Sequence, residues 1–447
     1  MSSSIFHRSL QKTYPTVTSG HGVYLNTPTH QILDGSSGAA VSCLGHSHPE
    51  VAASIVAHVQ NDTSFAHTSF FTSSPAEDLA QFLLSKSGDA FASVNFLSSG
   101  SEAVESALKI ARQWHVYNGQ PQRVNFIGRE FSYHGNTLGA LGVGSNPSRR
   151  GVFEPILGKV FHHVSRCCYE ADGGDMSEEE YEYSLIKELE GKIEELGGDT
   201  VAAVIVEPVS GATMGAVMPT RTYLPRVRQV CDKYGILLIF DEVMCGMGRT
   251  GSYHAWQSLG GVAPDLQTIG KGLGGGYIPL SAVLMGRKVA QTFEAHSKGD
   301  ARFVSGHTFQ GHVLACASAL TVQKIIQRDN LLQNVVMMGE LLGNLLQASL
   351  SQELVSHGAH VRGKGLFRAV DFGRAGDAMG GALAGEVAEE AFRNGAAVYT
   401  CSPVFDAVLL APPFIIKEHE LKKLVDIFAS SVRIVVGMRS EGLAHSG

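Results

Sequence analysis

Short apolar runs alternate with stretches of helical periodicity over most of this chain. VNFL (94–97), VNFI (124–127), VAAVIV (201–206), GILLIF (235–240), LQTIG (266–270) and LSAVLM (280–285) read as strands. Several are apolar at successive positions, the pattern of strands covered on both faces. Amphipathic helices lie between them. One covers 102–117, with Val104, Leu108, Ala111 and His115 on one face, and another covers 222–234, with Leu224, Val227 and Val230. This alternation predicts an α/β fold with a mostly parallel sheet flanked by helices.

The two ends of the chain read differently. The first 60–75 residues suggest short strands and a helix, punctuated by Gly45, Pro49 and Pro75. After a helix near 312–327 the pattern changes. Segments near 361–370, 396–400 and 407–411, with helices between, predict a smaller α+β unit. The expected division is 1–70, 71–330 and 331–447. The acidic stretch 171–183 reads as a solvated loop feeding a surface helix.

Composition narrows the function. Lys plus Arg is 35 and Asp plus Glu is 42, a net charge of −7, which argues against a dedicated nucleic-acid binder. There are 51 glycines in 447 residues, well above the usual share of about 7%, and a large α/β enzyme uses such an excess in tight turns. Seven cysteines without a CxxC, two of them adjacent at Cys167 and Cys168, suggest a reduced, cytoplasmic setting. The start, MSSSIFHRSLQKTYPT, has no apolar core of a signal peptide, and no run of about 18 apolar residues predicts a membrane span.

The candidate chemistry begins at Lys271, in LQTIGKGLGGGYIPLSAV. Most lysines are solvated, but this one sits among apolar strands and glycines. Desolvation lowers an amine's pKa and makes it a nucleophile or Schiff-base former. Gly270, Gly272 and Gly275 match GxGxxG, yet a dinucleotide fingerprint needs a helix there, and an apolar strand follows instead. A phosphate-loop lysine is followed by Ser or Thr, and here Gly272 follows. Asp241 and Glu242 end the strand GILLIFDEV, where active-site groups of open α/β sheets collect. Ser98, Ser99, Gly100 and Ser101 open a helix whose amides can hold an anion, and Glu102 and Glu105 read as ordinary first-turn acids. In FSYHGNTLGAL (131–141), Tyr133 and His134 precede Gly135 and offer an aromatic platform. The pairs His46/His48, His162/His163 and His307/His312 lack a coherent ligand set, so no metal is expected.

Amine, strand-end carboxylate, anion cradle and aromatic platform together suit pyridoxal 5'-phosphate. The chain resembles the class III (omega) aminotransferases, fold-type I enzymes dependent on that cofactor. The resemblance runs from GVYLNTPTHQILDGSSGAAVSCLGHSHPEV (22–51) through SGSEAVESALKIAR, YHGNTLGAL, VIVEPVSGATMG, LLIFDEVMCGMGRTG, PDLQTIGKGLGGGYIPLSAV and GHTFQGHVLACASAL to VLLAPPFII (408–416). Its most specific feature is the DEV and GKGLGGGY pair, with Asp241 and Lys271 separated by 30 positions.

The resemblance implies the following roles. Lys271 carries the cofactor as a Schiff base and shuttles a proton. Asp241 pairs with the pyridine nitrogen. Val243 and Tyr133 cover the two ring faces, with His134 beside Tyr133. Ser99, Gly100 and Ser101 hold the phosphate, Glu207 lies in the pocket, and Arg249 is structural. Thr308 reaches the phosphate of the neighbouring subunit, which implies a homodimer. Residues 71–330 form the cofactor-binding unit, and 1–70 joins the small domain and the dimer contact. FAHTSFFTS (65–73) lines the pocket. The implied reaction is ping-pong transfer of an amino group from a primary amine or ω-amino acid to a keto acid or aldehyde.

An aminomutase, racemase or decarboxylase of the same fold shares this chemistry and stays open. A nicotinamide-dependent oxidoreductase and a catalytically silent relative are remoter alternatives. Two features depart from the family. Met244 follows DEV where several subgroups carry Gln. The loop 400–413, TCSPVFDAVLLAPP, lacks the arginine that many members use for a substrate carboxylate. Arg149 or Arg150 is the candidate substitute.

Overall fold

The computed structural model describes residues 4–296 and 302–446. The first three residues of the Ser-rich start lie outside them. A seven-stranded sheet forms the centre, in the order Phe91–Leu97, Ser281–Gly286, Leu266–Ile269, Leu237–Asp241, Val201–Val206, Asn125–Arg129, Phe161–Val164. Ser281–Gly286 runs antiparallel to both its neighbours, and the other pairings are parallel.

The continuous apolar runs follow from two-sided burial. Along Val201–Val206 every residue is buried. Ala203 and Ile205 enter one core cluster, and Val204 and Val206 the other. Leu237 and Ile239 divide from Leu238 and Phe240 in the same way. Side chains alternate across a strand, so only a sheet sandwiched between helices needs apolar residues at every position. The helices Gly100–Tyr117 and Tyr223–Tyr234 lie close to the predicted ranges.

The parallel strands bring their carboxyl ends to one edge. Phe91–Leu97 shares that direction, because it is antiparallel to the one reversed strand. Residues 98–101, 129–135, 207, 241 and 271 therefore emerge together, as the strand-end rule for open α/β sheets requires.

The chain termini pack into a separate hydrophobic cluster. It joins Leu33 and Val51 to Leu366, Val408 and Phe428. Ala396–Ala397 pairs in parallel with Gln31–Asp34, completing a four-stranded sheet with Ser19–His21 and Tyr24–Asn26. A second four-stranded sheet, His360–Lys364, Phe367–Asp371, Ala407–Leu410 and Tyr399–Thr400, is antiparallel.

Two local features differ from expectation. Residues 161–164 form an edge strand, FHHV, with His162 and His163 inside it. The acidic stretch is only partly solvated. Its helix, Glu178–Leu196, starts at a Ser177/Glu180 capping box, then buries Tyr181 and Glu182. Glu182 accepts from Thr220 Oγ1 at 2.7 Å and pairs with Arg226 at 2.7 Å. All seven cysteines are unpaired.

Candidate active site

The strand Leu237–Asp241 delivers two acids to the sheet edge, and the fold sends them to different places. The Asp241 side chain is buried, and Thr268 Oγ1 donates to its Oδ1 at 3.0 Å. The amide of Val243 donates to the same oxygen at 3.1 Å, and His134 Nδ1 lies 2.7 Å from Oδ2. A strand side chain, a loop histidine and the amide two residues on thus hold one carboxylate. Glu242 points elsewhere and accepts the amides of Ala255 at 2.7 Å and Trp256 at 2.9 Å. Those amides open the short turn Ala255–Ser258, so Glu242 is an architectural anchor.

Lys271 follows the next strand. Its φ is +43°, a left-handed conformation that non-glycine residues seldom adopt, and its carbonyl accepts the amides of Gly274 and Gly275. The turn is a single 3-10 element, Lys271–Leu273, and the chain then enters the antiparallel strand. No helix starts at the glycines, so the dinucleotide fingerprint fails here. Burial pushes the Lys271 amine down to about 8, against the opposing pull of Asp241 and Glu207.

The anion cradle forms where Phe91–Leu97 gives way to the helix Gly100–Tyr117. Ser99 caps that helix, and Glu102 returns the capping-box bond to the Ser99 amide. The first intrahelical bond runs from Ala103 N to Ser99 O, so the Gly100 and Ser101 amides precede it. Close packing explains the glycines. A Cβ on Gly100 would lie 2.7 Å from Val243 Cγ1, and one on Gly135, at φ +136°, would lie 2.6 Å from Ser101 Oγ. Ser101 Oγ accepts the Asn136 amide at 3.0 Å. Glu105 does more than start a helix: it accepts from Thr137 Oγ1 at 2.7 Å and from the amides of Gly139 and Ala140.

These groups surround one cavity of about 420 Å³. Ser99, Gly100, Ser101, Tyr133, His134, Glu207, Asp241, Val243 and Lys271 all line it. Glu207 is buried, and burial holds its carboxyl above the ordinary range. Met244 joins the wall, as do Ile278, Pro279 and Leu280, which the sequence did not single out. Their signal was positional: they precede the antiparallel strand whose start adjoins Leu97.

Thr308 does not line the cavity of its own chain; it is exposed. The segment 65–73 does not line it either. Phe70 is 80% exposed, and the Phe65 ring packs against Phe309 and His312, beside Thr308. Arg249 is fully buried, donates to the carbonyls of Leu366 and Pro412, and stacks on Phe414. His162 and His163 are engaged by Asn125 and by Val143 with Arg150. Among the described residues, no group of three or more His, Cys, Asp or Glu could hold a metal ion.

A desolvated amine, a buried carboxylate, open helix amides and an aromatic side chain around one cavity fit pyridoxal phosphate. Fold and site together define a fold-type I transferase that uses this cofactor. The chain belongs to the class-III aminotransferase family, whose model matches residues 5–432. An uncharacterized aminotransferase of Schizosaccharomyces pombe is 38% identical over 97% of this chain and 95% of its own. The putrescine–pyruvate aminotransferase of Pseudomonas aeruginosa is 32% identical over 92% of this chain and 89% of its own. The crystal structure of the omega transaminase from Pseudomonas jessenii in complex with PMP superposes with a TM-score of 0.89 and 29% identity, covering 96% of this chain and 94% of that one. The protein is a transaminase.

Proposed function

We propose that this transaminase works by a ping-pong cycle centred on Lys271, taking nitrogen from a primary amine or ω-amino acid and passing it to a keto acid or aldehyde. The observation that carries the reading is that the Lys271 amine and the Asp241 carboxylate line the same cavity as the amino end of the helix Gly100–Tyr117. The names of relatives support the substrate class: putrescine–pyruvate, gamma-aminobutyrate and omega-aminotransferases.

Bound pyridoxal phosphate supplies a carbonyl for amine condensation and a ring that accepts the electrons released at the substrate carbon. The protein's part is binding, orientation and proton movement. Lys271, its amine pushed down to about 8 by burial, offers an unprotonated Nζ at mildly alkaline pH and then carries the proton to and from the substrate carbon. Asp241 would hold a proton on the ring nitrogen, and His134 and Thr268 fix the carboxylate for that task. The Gly100 and Ser101 amides would take the phosphate at the positive helix end. Tyr133 and Val243 would flank the ring, and Glu207 would face the substrate side.

Thr308 and residues 65–73 would complete the site of a second copy, giving a homodimer. Their exposure supports this, as do the packing of Phe65 on Phe309 and the exposed Val304 and Phe309. The division 1–70, 71–330 and 331–447 belongs to the same reading, supported by the separate cluster that the termini form. We place the enzyme in the cytoplasm; no described helix is long and apolar enough to cross a membrane.

The purified protein is expected to be yellow, and borohydride should fix the chromophore covalently on the peptide containing Lys271. Label on another lysine, or a protein that cannot take up the cofactor, would overturn the assignment. A screen of amine donors against pyruvate and 2-oxoglutarate then sets the substrate range.

A further inference from the structure

A second cavity, of about 730 Å³, adjoins the first and shares Tyr133, Ala212, Met244 and Lys271 with it. Two distant segments wall it. One carries Tyr133 and Asn136, and the other is the strand Tyr399–Thr400 with the loop 401–406 after it, which supplies Cys401 and Pro403. A contact outside both cavities joins these segments. The Phe131 and Phe405 rings meet edge to face, 5.6 Å apart at 90°. The Arg166 guanidinium lies over both, 4.8 Å from the Phe131 ring and 4.9 Å from the Phe405 ring. Arg166 is itself held from behind. Its Nε and Nη2 donate to the two Asp172 carboxylate oxygens, each at 2.8 Å, and its carbonyl accepts from the hydroxyl of the buried Tyr181 at 3.1 Å. That fork fixes the guanidinium plane. Only 19% of the side chain is exposed, so the ring contacts form with much of the water removed.

The backbone records a constraint at the same point. Phe131 has φ +58°, a left-handed conformation that a bulky residue avoids. Such a conformation persists only where its surroundings over-determine it. Here the Phe131 amide donates to Ser145 O at 3.1 Å, the Ser145 amide returns to Ser132 O at 3.1 Å, and the ring is fixed by Arg166 and Phe405. Tyr133 and His134 come directly after Ser132, so the constraint aims two groups of the Lys271 pocket. On the loop side, the Ser402 amide donates to the carbonyls of Ala212 and Thr213, and the Phe405 amide to Ser402 O. Both rings also rest on the buried Cys168, Met214 and Val217.

We propose that Arg166 is a positioning residue for the substrate-side wall: it clamps the loop 401–406 onto the Tyr133 segment and so sets how bulky an amine the site admits. Arg166 lines neither cavity and acts through Phe131 and Phe405. With the clamp closed, the wall is preorganised, and a small donor binds without the cost of ordering it. With the clamp released, the loop moves, small donors bind less well and bulky donors gain room. This rests on the transaminase reading and specifies the steric class of its amine substrate.

The test has two arms, both on holoenzyme. The first is hydrogen exchange read by mass spectrometry, which needs no substrate. In Arg166→Gln the segment 401–407 is expected to exchange about five- to thirtyfold faster, the scale of two partly desolvated cation–π contacts, while Val201–Val206 keeps its rate. Arg166→Lys keeps a cation over the rings without the fork to Asp172 and should fall between. Phe405→Leu keeps apolar bulk but loses the ring face and should match Arg166→Gln. The second arm is steady-state kinetics with n-butylamine and 1-phenylethylamine as donors to pyruvate. Arg166→Gln should raise KM for n-butylamine about three- to tenfold with kcat within about twofold, and should shift the kcat/KM ratio toward 1-phenylethylamine by about fivefold or more.

Unchanged exchange at 401–407 in both Arg166→Gln and Phe405→Leu overturns the proposal. So does faster exchange that extends equally to Val201–Val206, or a loss that falls on kcat and equally on both donors. If Arg166→Gln does not fold, Asp172→Asn weakens the fork alone and carries both arms, with smaller shifts in the same directions; no shift in either arm overturns the clamp. Failure of wild type to turn over any amine sinks the transaminase reading instead, and the exchange arm still decides whether Arg166 holds the loop.

Discussion

The two sides of the strand end at Asp241 and Glu242 make the most instructive contrast in the molecule. Both acids leave the same strand, and both are buried. On the cavity side, Asp241 is held by side chains from separate elements and faces the amine of Lys271. On the core side, Glu242 is spent on two backbone amides of the turn Ala255–Ser258. Burial raises the Glu242 carboxyl to about 8, yet it meets no ligand cavity. A perturbed acid at a strand end is therefore not by itself a catalytic one. What separates the two is which space the side chain enters.

The contrast can be broken by mutation. The largest effect belongs to the cavity side: Lys271→Ala should lower turnover by at least ~10²–10⁴-fold, the scale of a positioned acid–base group. Steady-state assay of cofactor-loaded variant checks this, and near-normal turnover would remove Lys271 from the mechanism. Asp241→Asn should cost about 10²–10³-fold in rate, as for other charge-stabilising groups. Its thermal midpoint should change little, because an Asn oxygen can still accept from Thr268 and Val243. A variant with a clearly lowered thermal midpoint and normal turnover would reverse the roles assigned to the two acids.

The core side predicts the opposite signature. Glu242→Ala strands two buried amides at about 1–3 kcal/mol each. Denaturant unfolding should record that loss, while folded, loaded protein keeps its catalytic rate. Next in size is Gly100→Ala, whose Cβ would meet Val243 at 2.7 Å. Overpacking of about 1–3 kcal/mol at the cradle should appear as weaker cofactor retention during dialysis.

The smallest effect is a pH profile. Lys271 sits at about 8, below the ordinary lysine value near 10.4. The unfolded chain therefore binds more protons between those values. Stability of the cofactor-free protein should rise from pH 8 toward 10.4 and be lost as pH falls through 8. Over the lower range, the rate of capture of pyridoxal phosphate should climb about tenfold per pH unit and level off near pH 8. A profile still climbing at pH 10 would mean a solvated amine.

Much of this architecture could be read from residue order. Two-sided burial imposes continuous apolar runs, so the strands ending at Leu97, Val206, Asp241 and Ile269 announced themselves. Parallel pairing then places their carboxyl ends, and the residues after them, at one edge. The strand Phe161–Val164 carries the polar pair His162-His163 because an edge strand has only one neighbour. Glu105 looked like any first-turn acid, since its partners Thr137, Gly139 and Ala140 arrive from a distant segment.

Residue order by itself determined the fold class and the short list of reactive groups, because periodicity and glycine placement are local properties of the chain, and the resemblance of its motifs implied the family. Only the tertiary structure decided which buried acid faces the amine and that Arg150 is engaged by Glu154 and by the carbonyls of Gly142 and Gly144. Those outcomes depend on hydrogen-bond partners contributed by remote segments, and a side chain's environment is set by what packs around it rather than by its neighbours in sequence.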